Sequence, residues 1–148
     1  MTFTGERVVR EQQQHQTAGG ALTINVLFTD VDHTLVALKK AVTFAEGLSS
    51  NLRILAPVIV PYPLDVSACP VNRNHVEKRL RTIAGASEIP TRIEIIRCRD
   101  RVEALLATTR PDDLIVISWK KRWLWDETSR LARRLRKSGR NVVAIRND

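Results

Sequence analysis

Apolar residues along this chain follow two alternating patterns. Short runs rich in β-branched residues fall at 23–29 (TINVLFT), 52–60, 91–97, 114–118 and 141–146. Runs of this length and apolarity read as strands of a buried parallel sheet. Between them the apolar spacing changes to three or four. Leu35, Leu38, Val42 and Ala45 mark one helix, and Val76, Leu80 and Ile83 a second. Val102, Leu105 and Leu106 mark a third, and Leu131, Ala132 and Leu135 a fourth. Each set is a single buried stripe. Ala37, Ala41 and Ala45 add a stripe of small residues that lets the first helix lie close to a sheet.

Punctuation residues agree with these periods. Gly47, Gly85 and Gly139 stand at three helix ends, and Pro111 stops the remaining helix. Pro61 and Pro63 close the second strand, and residues 65–74 form a loop around Pro70. Asp100 and Glu103 have the spacing of a capping box, and Asp32 or Thr34 is the expected cap of the first helix. The resulting order is βαβαβαβαβ. Right-handed crossovers then place helices on both faces of one sheet. The expected fold class is therefore α/β and Rossmann-like, a five-stranded parallel sheet in the order 3-2-1-4-5. Ligands of such sheets sit beyond the carboxyl ends of the strands, where strand order reverses. Here those ends are residues 29–34, 60–64, 97–100 and 118–125.

Length changes the picture little, since 148 residues fit one domain. Residues 1–20 mix charges with a glutamine-rich run and read as a loose, disordered tail, leaving 21–148 as the domain. They lack the charged-then-apolar pattern of a secretion signal. No apolar run reaches the roughly 20 residues that span a bilayer, so a cytoplasmic protein with no membrane span is expected. Cys69 and Cys98 lack metal-ligand spacing and read as structural thiols. No metal site and no catalytic residue is assigned. His15 lies in the tail, and His75 starts a helix with no ligand partner at useful spacing. Charge matters more. The formal net charge is +8, and residues 119–148 hold ten Lys or Arg against Asp126, Glu127 and Asp148. Such asymmetry fits either a solvated helix face or an anionic partner at the basic C-terminal region.

Three stretches then carry a family likeness: NVLFTDVDHT before the alanine-spaced helix, RPDDLIVIS, and the ending SGRNVVAIRN. Over about residues 22–146 the chain resembles the universal stress protein family. The resemblance implies the fold, a stress-associated or regulatory role, and a homodimer formed through the last strand. Its ATP-binding members follow the fourth strand with Gly-x2-Gly-x9-Gly-Ser/Thr, where glycines let the backbone approach phosphates. Here the matching stretch is Ser118-Trp119-Lys120-Lys121, with no glycine before Gly139. The expectation is a divergent member that needs no cofactor and holds ATP weakly. Ligand-binding candidates are Asp30, Asp32, His33 and Thr34 at the first turn, with Ser118, Trp119, Lys120 and Lys121 after the fourth strand.

Two alternatives use the same segments. Asp30-Val31-Asp32-His33-Thr34-Leu35 also resembles the first motif of haloacid-dehalogenase-type phosphatases, with Asp30 as nucleophile and Asp32 as acid/base beside Mg²⁺. That chemistry needs a further acidic pair, and Asp112 and Asp113 fall at the amino end of the fourth strand, on the wrong side of the sheet. Trp119, Trp123 and Trp125 interleave with Lys120, Lys121 and Arg122. That string suits nucleic-acid or other polyanion contact, or a tryptophan loop packed over the sheet end.

Overall fold

A computed structural model of the protein describes residues 6–10, 22–47, 50–60, 73–120 and 127–147. The strands are β1 (Glu6–Arg10), β2 (Leu22–Leu27), β3 (Ser50–Ile59), β4 (Thr91–Cys98), β5 (Leu114–Lys120) and β6 (Asn141–Asn147). The helices are α1 (Val31–Gly47), α2 (Arg73–Gly85), α3 (Arg101–Thr108) and α4 (Glu127–Lys137). Strands β2 to β6 form a parallel sheet in the spatial order β4-β3-β2-β5-β6, which is the expected 3-2-1-4-5.

The sheet has a sixth strand that the sequence reading placed in a disordered tail. Glu6–Arg10 pair antiparallel with β4, with an irregular register between Arg7 and Val9. The run ERVVR supplies two adjacent β-branched residues between charges, and β4 otherwise presents an open sheet edge that favours pairing. The loose-tail expectation is corrected for these residues.

Two cores sandwich the sheet. One face, with Ile24, Val26, Leu52, Ile54, Ile93, Ile95 and Val116, packs under α1 and α2 through Ala37, Leu38, Ala41, Leu80 and Ile83. The alanine stripe on α1 is wholly sunk, as its close approach to the sheet requires. The other face, with Leu27, Leu55, Ile96, Ile115 and Ile117, packs under α3 and α4 through Val102, Leu105, Leu131, Ala132 and Leu135. Asp100 caps α3 by accepting from the Val102 and Glu103 amides. At the end of α4, Gly139 takes φ +86° while its N–H donates to Arg136 O and Arg140 N–H donates to Leu135 O. This closes α4 with a left-handed glycine and returns the chain into β6.

The second core contains a buried polar network near the amino end of the sheet. Arg53 of β3 donates from Nε to Asn25 Oδ1 (2.8 Å), from one terminal nitrogen to Glu94 Oε2 (3.2 Å) and from the other to Thr108 O (2.8 Å). Asn25 in turn donates to Leu114 O at 3.2 Å. Burial draws the Arg53 guanidinium down from its ordinary value, while Glu94 and Asp113 oppose that. Arg140 completes the set, donating to Thr109 Oγ1, Leu106 O and Thr109 O. Two cations therefore cover the carbonyl end of α3, where the helix dipole is negative. Among the described residues no helix is long and apolar enough to cross a membrane.

Candidate functional site

The chain leaves β2 toward β3 and β4 on one side, then returns to place β5 on β2's other side. Strand order therefore reverses between β2 and β5, and open α/β sheets place their ligand crevice beyond the carboxyl ends at such a point. The β2–β5 ladder ends at Val26 and Val116. Beyond it stand Phe28, Thr29 and Asp30 on one side and Ser118 and Trp119 on the other.

Helix α1 begins at once, at Val31, so Asp32, His33 and Thr34 lie within its first turn. The cap is Asp30, not the expected Asp32 or Thr34. Asp30 Oδ1 accepts the His33 amide at 2.9 Å, and Oδ2 meets His33 Nδ1. Partial burial pushes the Asp30 carboxyl up, but the His33 amide, the His33 ring and the Asp32 amide outweigh it. The net shift is below the ordinary 3.8. Asp32 is exposed, while Thr34 is fully buried and accepts the Thr29 N–H on Oγ1 at 3.1 Å.

Thr29 links the two sides. Its hydroxyl points at Ser118 O, from the end of one strand to the other, at 3.5 Å, a weak contact. Thr29 ends an apolar run at the reversal point, where a polar residue is the sequence signal for such a link. Ser118 is wholly buried, and its Oγ has no hydrogen-bond partner among the described residues.

Strand β5 runs two residues further than the apolar run suggested. Trp119 pairs with Arg146 and Lys120 with Asn147 of β6, so both belong to the sheet and not to a loop. Trp119 is half-buried and packs against the second core. Lys121, Trp123 and Trp125 lie outside the described residues, as does Cys69. Cys98 ends β4, is buried, and has its thiol pushed up to about 11, chiefly by that burial.

The phosphatase arrangement is not assembled. Asp30 is engaged with the helix cap and His33, and Asp113 is buried beside the amino end of β5, at the far end of the sheet. Among the described residues no three His, Cys, Asp or Glu side chains group as metal ligands.

No family model matches the sequence, and no curated protein matches it. The fold does have a solved counterpart. The crystal structure of a universal stress protein in complex with cAMP is similar over 86% of this chain and 98% of that one, with a TM-score of 0.50 and 20% identity. A likeness at that identity shows the fold, a universal-stress-protein-like α/β domain.

Proposed function

We propose that this chain is a binding or regulatory domain of the universal-stress-protein type, working in the cytoplasm as a homodimer and carrying out no reaction on its ligand. The observation that supports this reading most directly is the course of β5. It continues as paired strand through Trp119 and Lys120, at the position where ATP-binding relatives turn on glycine. A paired strand directs its amides into the sheet, whereas a phosphate cradle needs successive amides aimed at one point. The solved neighbour binds cAMP, so a nucleotide at the β2–β5 crevice is the natural probe. ATP affinity is expected to be no better than about millimolar, near −4 kcal/mol.

Calorimetry with ATP and with cAMP at two salt concentrations tests the reading. Weak heats that fade with salt support it. Micromolar, salt-insensitive ATP binding overturns it. A phosphatase assay supplies the second arm: Mg²⁺-dependent turnover of a generic phosphate ester, abolished by Asp30→Asn, would replace the binding domain with an enzyme. For the homodimer, β6 offers an outer edge carrying half-buried Val142, Val143, Ala144 and Ile145. Exposed edges of this kind favour strand addition. Light scattering after size exclusion should give twice the chain mass, and a single-chain mass at high micromolar concentration removes the dimer.

A further inference from the structure

Helix α4 separates its residues sharply by charge. Leu131, Ala132 and Leu135 are buried in the second core. On the opposite side Arg130, Arg133, Arg134 and Lys137 recur at i, i+3, i+4 and i+7, and all are exposed. At 1.5 Å per residue the stripe is about 10 Å long. Repulsion among like charges at these spacings destabilises a helix unless something neutralises it. Among the described residues little does. Arg134 approaches Asp100 at 3.8 Å, and Glu127 at the helix start is taken by Arg101. Arg130, Arg133 and Lys137 form no ion pair among the described residues.

The chemistry of the stripe narrows its partner. Three of the four cations are arginines, whose planar forks match phosphate oxygens better than a lysine does. A lipid surface would require apolar side chains beside the cations to enter the acyl boundary, and those of α4 are all turned into the core. A repeating row of phosphates needs only the cations. The stripe's length is comparable with the roughly 6–12 Å widths of duplex grooves, so its two ends can reach phosphates of both strands. We infer that the exposed arginine stripe of α4 is a sequence-independent binding surface for the phosphodiester backbone of nucleic acid. It lies on α4's outer face, and the inference does not rest on any ligand at the β2–β5 crevice.

Fluorescence anisotropy with a labelled 20-base-pair DNA duplex tests the inference on the full chain. Four phosphate contacts predict a slope of log affinity against log salt near −3.6 and a loss of about 150-fold from 50 to 200 mM salt. Arg130→Gln/Arg133→Gln should reduce the slope to about −1.8, because each contact contributes about 0.9. Glutamine keeps helix propensity near that of arginine, so the melting temperature serves as the folding control. Lys39→Gln/Lys40→Gln on α1 removes the same charge elsewhere and should leave affinity within about twofold. An equal loss from that control would assign the binding to net charge and overturn the stripe. So would an affinity for phosphatidylserine vesicles exceeding that for the duplex, or the absence of duplex binding at 50 mM salt.

Discussion

The two ends of the sheet hold polar side chains under opposite conditions. At the amino end Arg53 joins Asn25 to Glu94, and Arg53 and Arg140 both hold carbonyls closing α3. Asn51 Nδ2 and Asp113 Oδ1 are buried there without a hydrogen bond among the described residues. At the carboxyl end Thr29, Asp30, His33, Thr34 and Ser118 are held mainly by local bonds. One hydroxyl remains unpaired, and the Asp30 carboxyl is half open to solvent. Polar groups that satisfy each other fix a fold, because removing one leaves another buried and unpaired. Polar groups held by their own turn leave atoms available to something else. The amino end is thus the place where substitution should cost stability, and the carboxyl end the place where it should change binding.

The largest effect expected on this contrast is at Arg53. Arg53→Met removes one partner of Glu94, which is only 4% exposed, together with the donor to Asn25 Oδ1 and Thr108 O, and should destabilise by about 3–5 kcal/mol. Urea denaturation reads this as a lower midpoint at constant slope. Arg53→Met/Glu94→Leu should be more stable than the single variant, because the buried carboxylate that loses the Arg53 cation is gone as well. A single-variant loss below about 1 kcal/mol would mean that water or its other contacts satisfy Glu94, and the Arg53 pair would not be what holds the amino end closed.

Thr34→Val comes next. It keeps the shape of the side chain but deprives the Thr29 N–H of its acceptor, at a cost of about 1–2 kcal/mol. The loss should fall on the β2–α1 turn. Hydrogen exchange at the Thr29 amide should accelerate while the amides of β3 and β4 stay protected. Uniform acceleration would instead place the Thr34 contact inside the global folding unit.

Asp30→Asn should cost under about 1 kcal/mol at neutral pH, since asparagine caps helices as well as aspartate does and only the charge is lost. The sign of its pH dependence follows from the lowered carboxyl. A group held below its ordinary 3.8 in the fold contributes stability that is fully present above that value and is lost as pH falls through the folded value. The gap between wild type and Asp30→Asn should therefore close on acidification, as pH falls below 3.8 through the lower folded value. A gap that widens there would mean that the cap acts through its protonated form.

The contrast between the two ends was half legible in the sequence. The carboxyl-end residues could be named because each follows an apolar run at the point of strand reversal, where a polar side chain has no core to join. The amino-end network was missed because Arg53 and Glu94 sit inside apolar runs, NLRILAPVI and TRIEIIR, and pass as isolated exceptions. Strand order and register reveal them: Asn25 pairs with Arg53, and Leu55 with Glu94, so all their side chains fall on the α3 face. One polar residue per neighbouring strand on a shared face is the pattern that could have been sought once the order 3-2-1-4-5 was expected. Strand β1 was missed for a different reason. Its register breaks within five residues, so it shows no period to read.

The smallest effect on stability, and the one that separates folding from binding most cleanly, belongs to Ser118. Its hydroxyl is fully buried beside the crevice and has no partner among the described residues. Burying an unpaired hydroxyl costs about 1–3 kcal/mol, and alanine removes that cost with the loss of one atom. The small cavity left behind offsets part of the gain. Ser118→Ala should therefore change stability by less than about 1 kcal/mol, in the stabilising direction, which is a rise of up to about 3 °C in Tm for a chain of this size. A destabilisation above 1 kcal/mol would show that the hydroxyl is satisfied in solution, by a bound water or by chain outside the described residues. The same variant should be titrated with cAMP beside the wild type. If the carboxyl end is the binding end, a change in affinity will accompany the unchanged or raised Tm. At the amino end no substitution in the Arg53 network should separate the two in that way, because Arg53, Asn25 and Glu94 are tied to one another and to backbone carbonyls of the fold.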